Sequence, residues 1–289
     1  MLDVLRGFPR AAPAGRPGDP GLFGPDSVAW KVNSETALLL GAGRALLLQL
    51  AHPGVAAGVA DHSGFPRRAF PRLWRTLETS LTISFGDAEQ SAQAAERVNA
   101  VHRRVHGATY DALDPELLIW VHATLVDSAL VAHDRFVGGL SGSDRERYYR
   151  EMKRQAAAFE IPGAVLPGNL GDFRRYVRKQ LPRLRVTEEA RMLAADVLSP
   201  PVPLYLRPAA MAFRQVTIGL LPPAAREAYG LRWGRMRESA LAGGSATIRA
   251  MLPAVPNVLR HWPQARAAGR RVAADADAVP QKGRSALAR

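Results

Sequence analysis

The stretch "SETALLLGAGRALLLQLAH", residues 34–52, is apolar on most faces of the helix that its spacing predicts. Such a helix has to be buried, so the chain must build a core around it. Ser34 stands where an N-cap is expected, and Pro53 ends the run.

The same periodicity recurs along the chain, with cap and stop residues between the repeats of the pattern. "FPRLWRTLETSLTISFG" runs to a stop at Gly86, and "DAEQSAQAAERVNAVHRRVHG" opens on Asp87 and stops at Gly107. "DPELLIWVHATLVDSALVAHDRFVGG" has Pro115 just inside its start and Gly138 past its end. "SGSDRERYYREMKRQAAAF" takes Ser143 or Asp144 as its cap, and weaker helices follow near 170–180, 187–198, 205–220 and 231–251. Alternating strand patterns and internal repeats are both missing, so the expected fold is all-α, a single globular helical domain. Its boundaries fall at 27–261. A Pro- and Gly-rich irregular arm covers 1–26, and a basic, partly disordered tail covers 262–289.

Composition narrows the function. Of 289 residues, 47% are hydrophobic and 22% charged, the balance of a packed domain. There is no cysteine, which removes disulfides, iron–sulfur clusters and a thiolate haem ligand. The net charge of +13 is almost all arginine, because lysine occurs only at 31, 153, 179 and 282. No nucleic-acid-binding motif organises that charge, so no nucleic-acid partner is expected; a basic surface with some attraction to acidic partners or a peripheral membrane contact is. The N-terminal residues contain no apolar run long enough for a signal peptide or membrane span, and a cytoplasmic location is the expectation.

Seven histidines carry most of the potential chemistry, at 52, 62, 102, 106, 122, 133 and 261. His102 and His106 lie four apart, which on a helix lets both face one metal. Between them, however, stand Arg103 and Arg104, whose guanidiniums repel a cation and suit an anion such as a haem propionate or substrate carboxylate. Paired Glu-x-x-His motifs for a dinuclear site are missing, as is a G-x-S-x-G elbow. "GAGRALL" at 41–47 lacks the strand and third glycine of a phosphate loop and reads as close helix packing. Haem held between helices by one neutral imidazole remains. Arg72, Arg75 and Thr76 share one helix face, as they would opposite a polar group, although a surface placement of the arginines with local capping by Thr76 fits the same spacing.

The runs "LLLQLAHPGVAAGVADHSGF", "RLWRTLETSLTISFGD", "VNAVHRRVHG", "PELLIWVHATLVDSALVAHDRFVG" and "YYREM" together resemble the bacterial oxygenase family that joins the rubber oxygenases (latex clearing proteins) with the MpaB oxygenase. The resemblance covers about residues 34–260. It implies a globin-like core with extra helices, a b-type haem, O2 as co-substrate and a small apolar organic substrate that is oxidised or cleaved. The family's V-H-x-x-V segment matches Val101, His102 and Val105, which makes His102 the implied iron ligand. Its R-x-x-K-T motif matches Arg72 and Thr76, whereas Arg75 stands in place of a lysine able to reach the sixth iron position. A guanidinium stays protonated and ligates poorly, so an open or water-occupied distal side is implied, with Arg72 and Thr76 as hydrogen-bond donors there. Asp61 and His62 are implied as distal bases, His52 and His122 as hydrogen bonders near the cofactor or in the core, and His106 as a helix-end cap or propionate partner. A haem peroxidase or oxidative tailoring enzyme, and a non-catalytic globin-like haem or O2 carrier, would use the same residues.

Overall fold

The computed structural model describes residues 15–62 and 69–276, with backbone alone for 69–75 and 275–276. Among these residues there is no strand, only two isolated bridges, Glu35–His261 and His106–Asp111. The helices in chain order are α1 Val28–Ser34, α2 Ala42–Leu50, α3 Pro53–His62, α4 Ala69–Phe85, α5 Ala88–His102, α6 Pro115–Ala132 and α7 Gly142–Ala158. They continue as α8 Leu170–Gln180, α9 Glu188–Leu198, α10 Arg207–Leu220, α11 Pro223–Ala228, α12 Arg235–Met251, α13 Asn257–Arg260 and α14 Pro263–Ala276. The all-α expectation therefore holds for the described chain.

Local chemistry sets most of these boundaries. Asp114 accepts from the Glu116 amide ahead of Pro115 to start α6, and Asp87 with Gln90 forms a reciprocal capping box at α5. Asn169 and Thr187 cap α8 and α9 in the same way. Two expected caps differ. The cap of α7 is Ser141, whose hydroxyl accepts from the Asp144 amide, ahead of both Ser143 and Asp144. Ser34 closes α1, its hydroxyl donating to the Lys31 carbonyl, and the next helix begins as a 3-10 turn at Thr36–Gly41 before becoming α-helical.

At the centre lies α6, buried from Leu117 through Ala132 on all but a few positions. With the π turn that follows, Pro115–Val137 has the length and apolarity of a membrane span, but most of it is enclosed by the other helices. One side of α6, through Ala123, Val126 and Leu130, joins a core with Trp30, Phe85, Tyr148, Tyr149 and Phe173. The other side, through Trp120, joins Leu47, Leu48, Leu198, Ile218 and Leu221. Trp262, just ahead of α14, and Ala265 and Ala268 within it join the first core, so packing continues past residue 261.

Close approach of α2 to α6 and α10 depends on small residues. A methyl group at Gly41 would lie 2.8 Å from Ala132 Cβ, and one at Gly43 would overlap Thr217. "GAGRALL" is thus a packing motif, as its sequence indicates. Beside these close contacts Arg44 is 4% exposed, and its guanidinium donates to the Leu220 carbonyl at 2.9 Å, to Ser128 Oγ at 2.7 Å and to Asp127 Oδ2 at 2.6 Å. Removing it strands a carboxylate, a hydroxyl and a carbonyl together. Arg44→Ala is expected to lose about 3–5 kcal/mol of unfolding free energy by urea titration, and a loss below about 1 kcal/mol would contradict this role for the residue.

Candidate functional site

Helices α4 and α5 pack along each other as an antiparallel pair, joined only by Gly86 and Asp87. Ser91 Oγ donates back to the Ile83 carbonyl at 3.1 Å, and Ile83, Ala94 and Ala95 fill the seam. This short connection fixes the register. His102 lies about 21 Å along α5 from its start, at 1.5 Å per residue, so the same level on α4 falls near residues 71–72. The backbone therefore brings the start of α4, where Arg72, Arg75 and Thr76 sit, beside the end of α5, where His102 sits. Thr76 is exposed; the side chains of Arg72 and Arg75 lie outside the described residues.

His102 is the last residue of α5 and is half-buried. Its Nδ1 is enclosed without a hydrogen-bond partner, and burial pushes its pKa below the usual histidine value, so the ring is neutral at pH 7. The helix is held at this end by Asn99, whose amide donates to the Ala158 carbonyl at 3.0 Å. Arg103 is spent on Glu96 and, at 3.6 Å, on Glu160, which places it on the protein surface rather than opposite a bound anion.

Beyond His102 the chain turns, with Arg104 N–H donating to the Val101 carbonyl and Val105 N–H to that of His102. Residues 105–112 then fold back on themselves, Ala112 N–H to Val105 and Gly107 N–H to Tyr110, each at 2.9 Å. The helix expected to run to Gly107 thus ends five residues earlier, and His106 stands exposed in the fold-back opposite Asp111. The one-turn pairing of His102 and His106 does not form. Among the described residues no three His, Asp or Glu side chains gather as a metal cluster.

The fold-back delivers Tyr110 to α3. Its ring packs over Gly58, where a methyl group would come within 3.3 Å, and its hydroxyl donates to Asp61 Oδ2 at 2.7 Å. His62 meets the same ring edge-on, 6.1 Å between centroids. Burial, then the Asp61 carboxylate, hold the phenol pKa above its ordinary value. Asp61 and His62 are exposed at the end of α3 and are tied through Tyr110 to the segment that follows His102. Tyr110 belongs to no periodic pattern, and the one signal for it in the sequence is a lone aromatic three residues past "HG".

Two further histidines are enclosed. His52, between α2 and α3, accepts the Ala56 amide on its carbonyl at 3.0 Å, while its Nδ1 is unpartnered. Burial lowers its pKa against the opposing pull of Glu116 and Asp114 at the start of α6. His122, inside α6, has no partner on either ring nitrogen, and burial lowers its pKa to about 4.

The described residues thus form an all-α domain with neutral, enclosed imidazoles and a half-buried histidine at a helix end. The chain matches the family model for "ER-bound oxygenase mpaB/B'/Rubber oxygenase, catalytic domain" over residues 30–250, and it belongs to that oxygenase family. It is also 28% identical over 205 residues to the uncharacterized protein Mb2261 of Mycobacterium bovis, covering 67% of this chain and 80% of that protein. The uncharacterized protein Rv2237 of Mycobacterium tuberculosis matches to the same extent. No solved structure matches.

The enclosed histidines set an acid limit on stability. Below pH 6.5 the unfolded chain protonates His122 while the folded chain resists until about pH 4. The stability present above 6.5 is therefore lost as pH falls, by up to about 3 kcal/mol from this residue. His122→Leu is expected to flatten the urea-midpoint profile between those pH values; an unchanged slope would show that the ring is not held neutral.

Proposed function

We propose that the protein is a haem b-dependent oxygenase that uses O2 to oxidise or cleave a small apolar organic substrate. Family membership supports oxygenase chemistry in general. The observation that supports haem is His102: a neutral imidazole at the end of a well-anchored helix, with an enclosed ring nitrogen that no protein group claims. A buried unpaired nitrogen is costly unless something else satisfies it, and iron would.

Bound haem would supply one-electron and O2 chemistry; this chain's residues would do the rest. His102 would hold the cofactor from α5, and burial keeps its ring in the unprotonated form that ligation needs. At the start of α4, level with His102 along the helix pair, Arg72 and Thr76 would serve as donors for negative charge developing on oxygen. Arg75, protonated at all working pH values, adds positive charge without competing for the metal. Asp61, or His62 beside it, takes up a proton from substrate, with Tyr110 O–H orienting the Asp61 carboxylate.

Expressed with a haem precursor, the protein is expected to show a Soret band and about one haem per chain by the pyridine haemochrome assay. It is expected to transform apolar alkenes with O2 and not with peroxide alone. A folded, colourless protein that stays so after haem is added would overturn the reading, and turnover driven only by peroxide would replace it with a peroxidase.

A further inference from the structure

A cleft of about 610 Å³ shares no lining residue with α3, α4 or α5. Its volume is in the range of small-molecule sites. The walls are α1, the π turn His133–Val137 with the glycines after it, and the segment 260–269. That last wall is firmly fastened. Arg260 clasps Glu35 through Nε at 2.9 Å and Nη2 at 2.6 Å, Trp262 N–H donates to the Ser34 carbonyl at 3.1 Å, and Thr36 Oγ1 donates to the Arg260 carbonyl at 2.9 Å.

The opposite wall is irregular for a reason visible in the backbone. The π turn closes on Gly138 at φ 80, a left-handed position suited to glycine, with its N–H donating to the His133 carbonyl at 2.6 Å. Single π turns inside helical segments frequently mark functional positions. Here the turn presents His133 to the cleft, and that side chain is only 6% exposed yet has no partner on Nδ1.

The charge balance of the walls points to one ligand chemistry. Glu35 is taken up by Arg260, with His261 Nε2 a further 3.6 Å away. Lys31, exposed in the last turn of α1, makes no ion pair among the described residues, and Arg266 has a buried Nε without a partner. Against these two cations stands Asp144, whose carboxylate accepts from Ser141 Oγ at 2.8 Å. Val28, Trp30 and Leu140 supply an apolar surface between the charged groups. We propose that this cleft is a second binding site, separate from the oxygenase centre, for a small organic carboxylate with an apolar body, whose anion meets Lys31, Arg266 and His133.

The test is titration of the haem-loaded protein with octanoate and with octanamide, its uncharged counterpart, followed by calorimetry and saturation-transfer NMR. Octanoate is expected to bind at a single site at least about tenfold more tightly than octanamide. Lys31→Gln, on an exposed residue that folding does not need, and Arg266→Gln are each expected to weaken octanoate at least about fivefold and octanamide hardly at all. His102→Ala is expected to leave octanoate binding intact. Equal affinity for the two compounds, no binding, insensitivity to both cation substitutions, or loss of binding in His102→Ala would each overturn the proposal.

Discussion

A buried guanidinium ties this fold together. Arg44 reaches from α2 to α6 through Ser128 and Asp127 and to α10 through the Leu220 carbonyl. Burying a charge is tolerable only when its donors are satisfied, and three elements supply acceptors here. Gly41 and Gly43 make the approach possible, and Trp120 repeats the link one side over by donating Nε1 to the Leu48 carbonyl at 3.0 Å. Once α2 is clamped to α6, the direction of α3 follows, since His52 and Pro53 turn the chain straight into it.

The candidate site depends on that placement. α3 offers Asp61 and His62 at its end, and Tyr110 couples them to the fold-back after α5. The α4–α5 pair sets the remaining side through its short connection, with His102 at one end of a helix anchored by Asn99. What His52, His102 and His122 share is neutrality under enclosure: burial lowers the pKa of each, which leaves all three imidazoles uncharged at pH 7. Neutral imidazole is the form that binds iron or accepts a proton. The same enclosure is a stability cost, because unpartnered ring nitrogens gain nothing from the protein around them.

Much of this was legible in the sequence because its causes are local. Asp87 with Gln90 and Asp114 with Pro115 announce α5 and α6, and the glycines of "GAGRALL" announce close packing. His102 stood out by residue type and by the family motif around it. Other features depended on distant partners. Ser34 has the chemistry of a cap, but the Lys31 carbonyl lies nearer, so it finishes one helix instead of starting the next. Arg44 reads as one more surface arginine until Asp127 and Ser128 arrive from α6. Tyr110 and the early end of α5 depend on α3 being in place, and the π turn at His133 has no period of its own. The "WPQARAAGRRV" tail looked too poor in large side chains to pack, yet Trp262 and two alanines were enough to seat α14.

The central claim is that His102 holds the iron, and substitution with chemical rescue measures it most directly. In His102→Gly the haem spectrum of the wild-type protein is expected to be lost, and millimolar imidazole is expected to restore it by occupying the vacated space. A Soret band and haem content unchanged in His102→Gly, with no response to imidazole, would contradict the account and move the ligand to another residue.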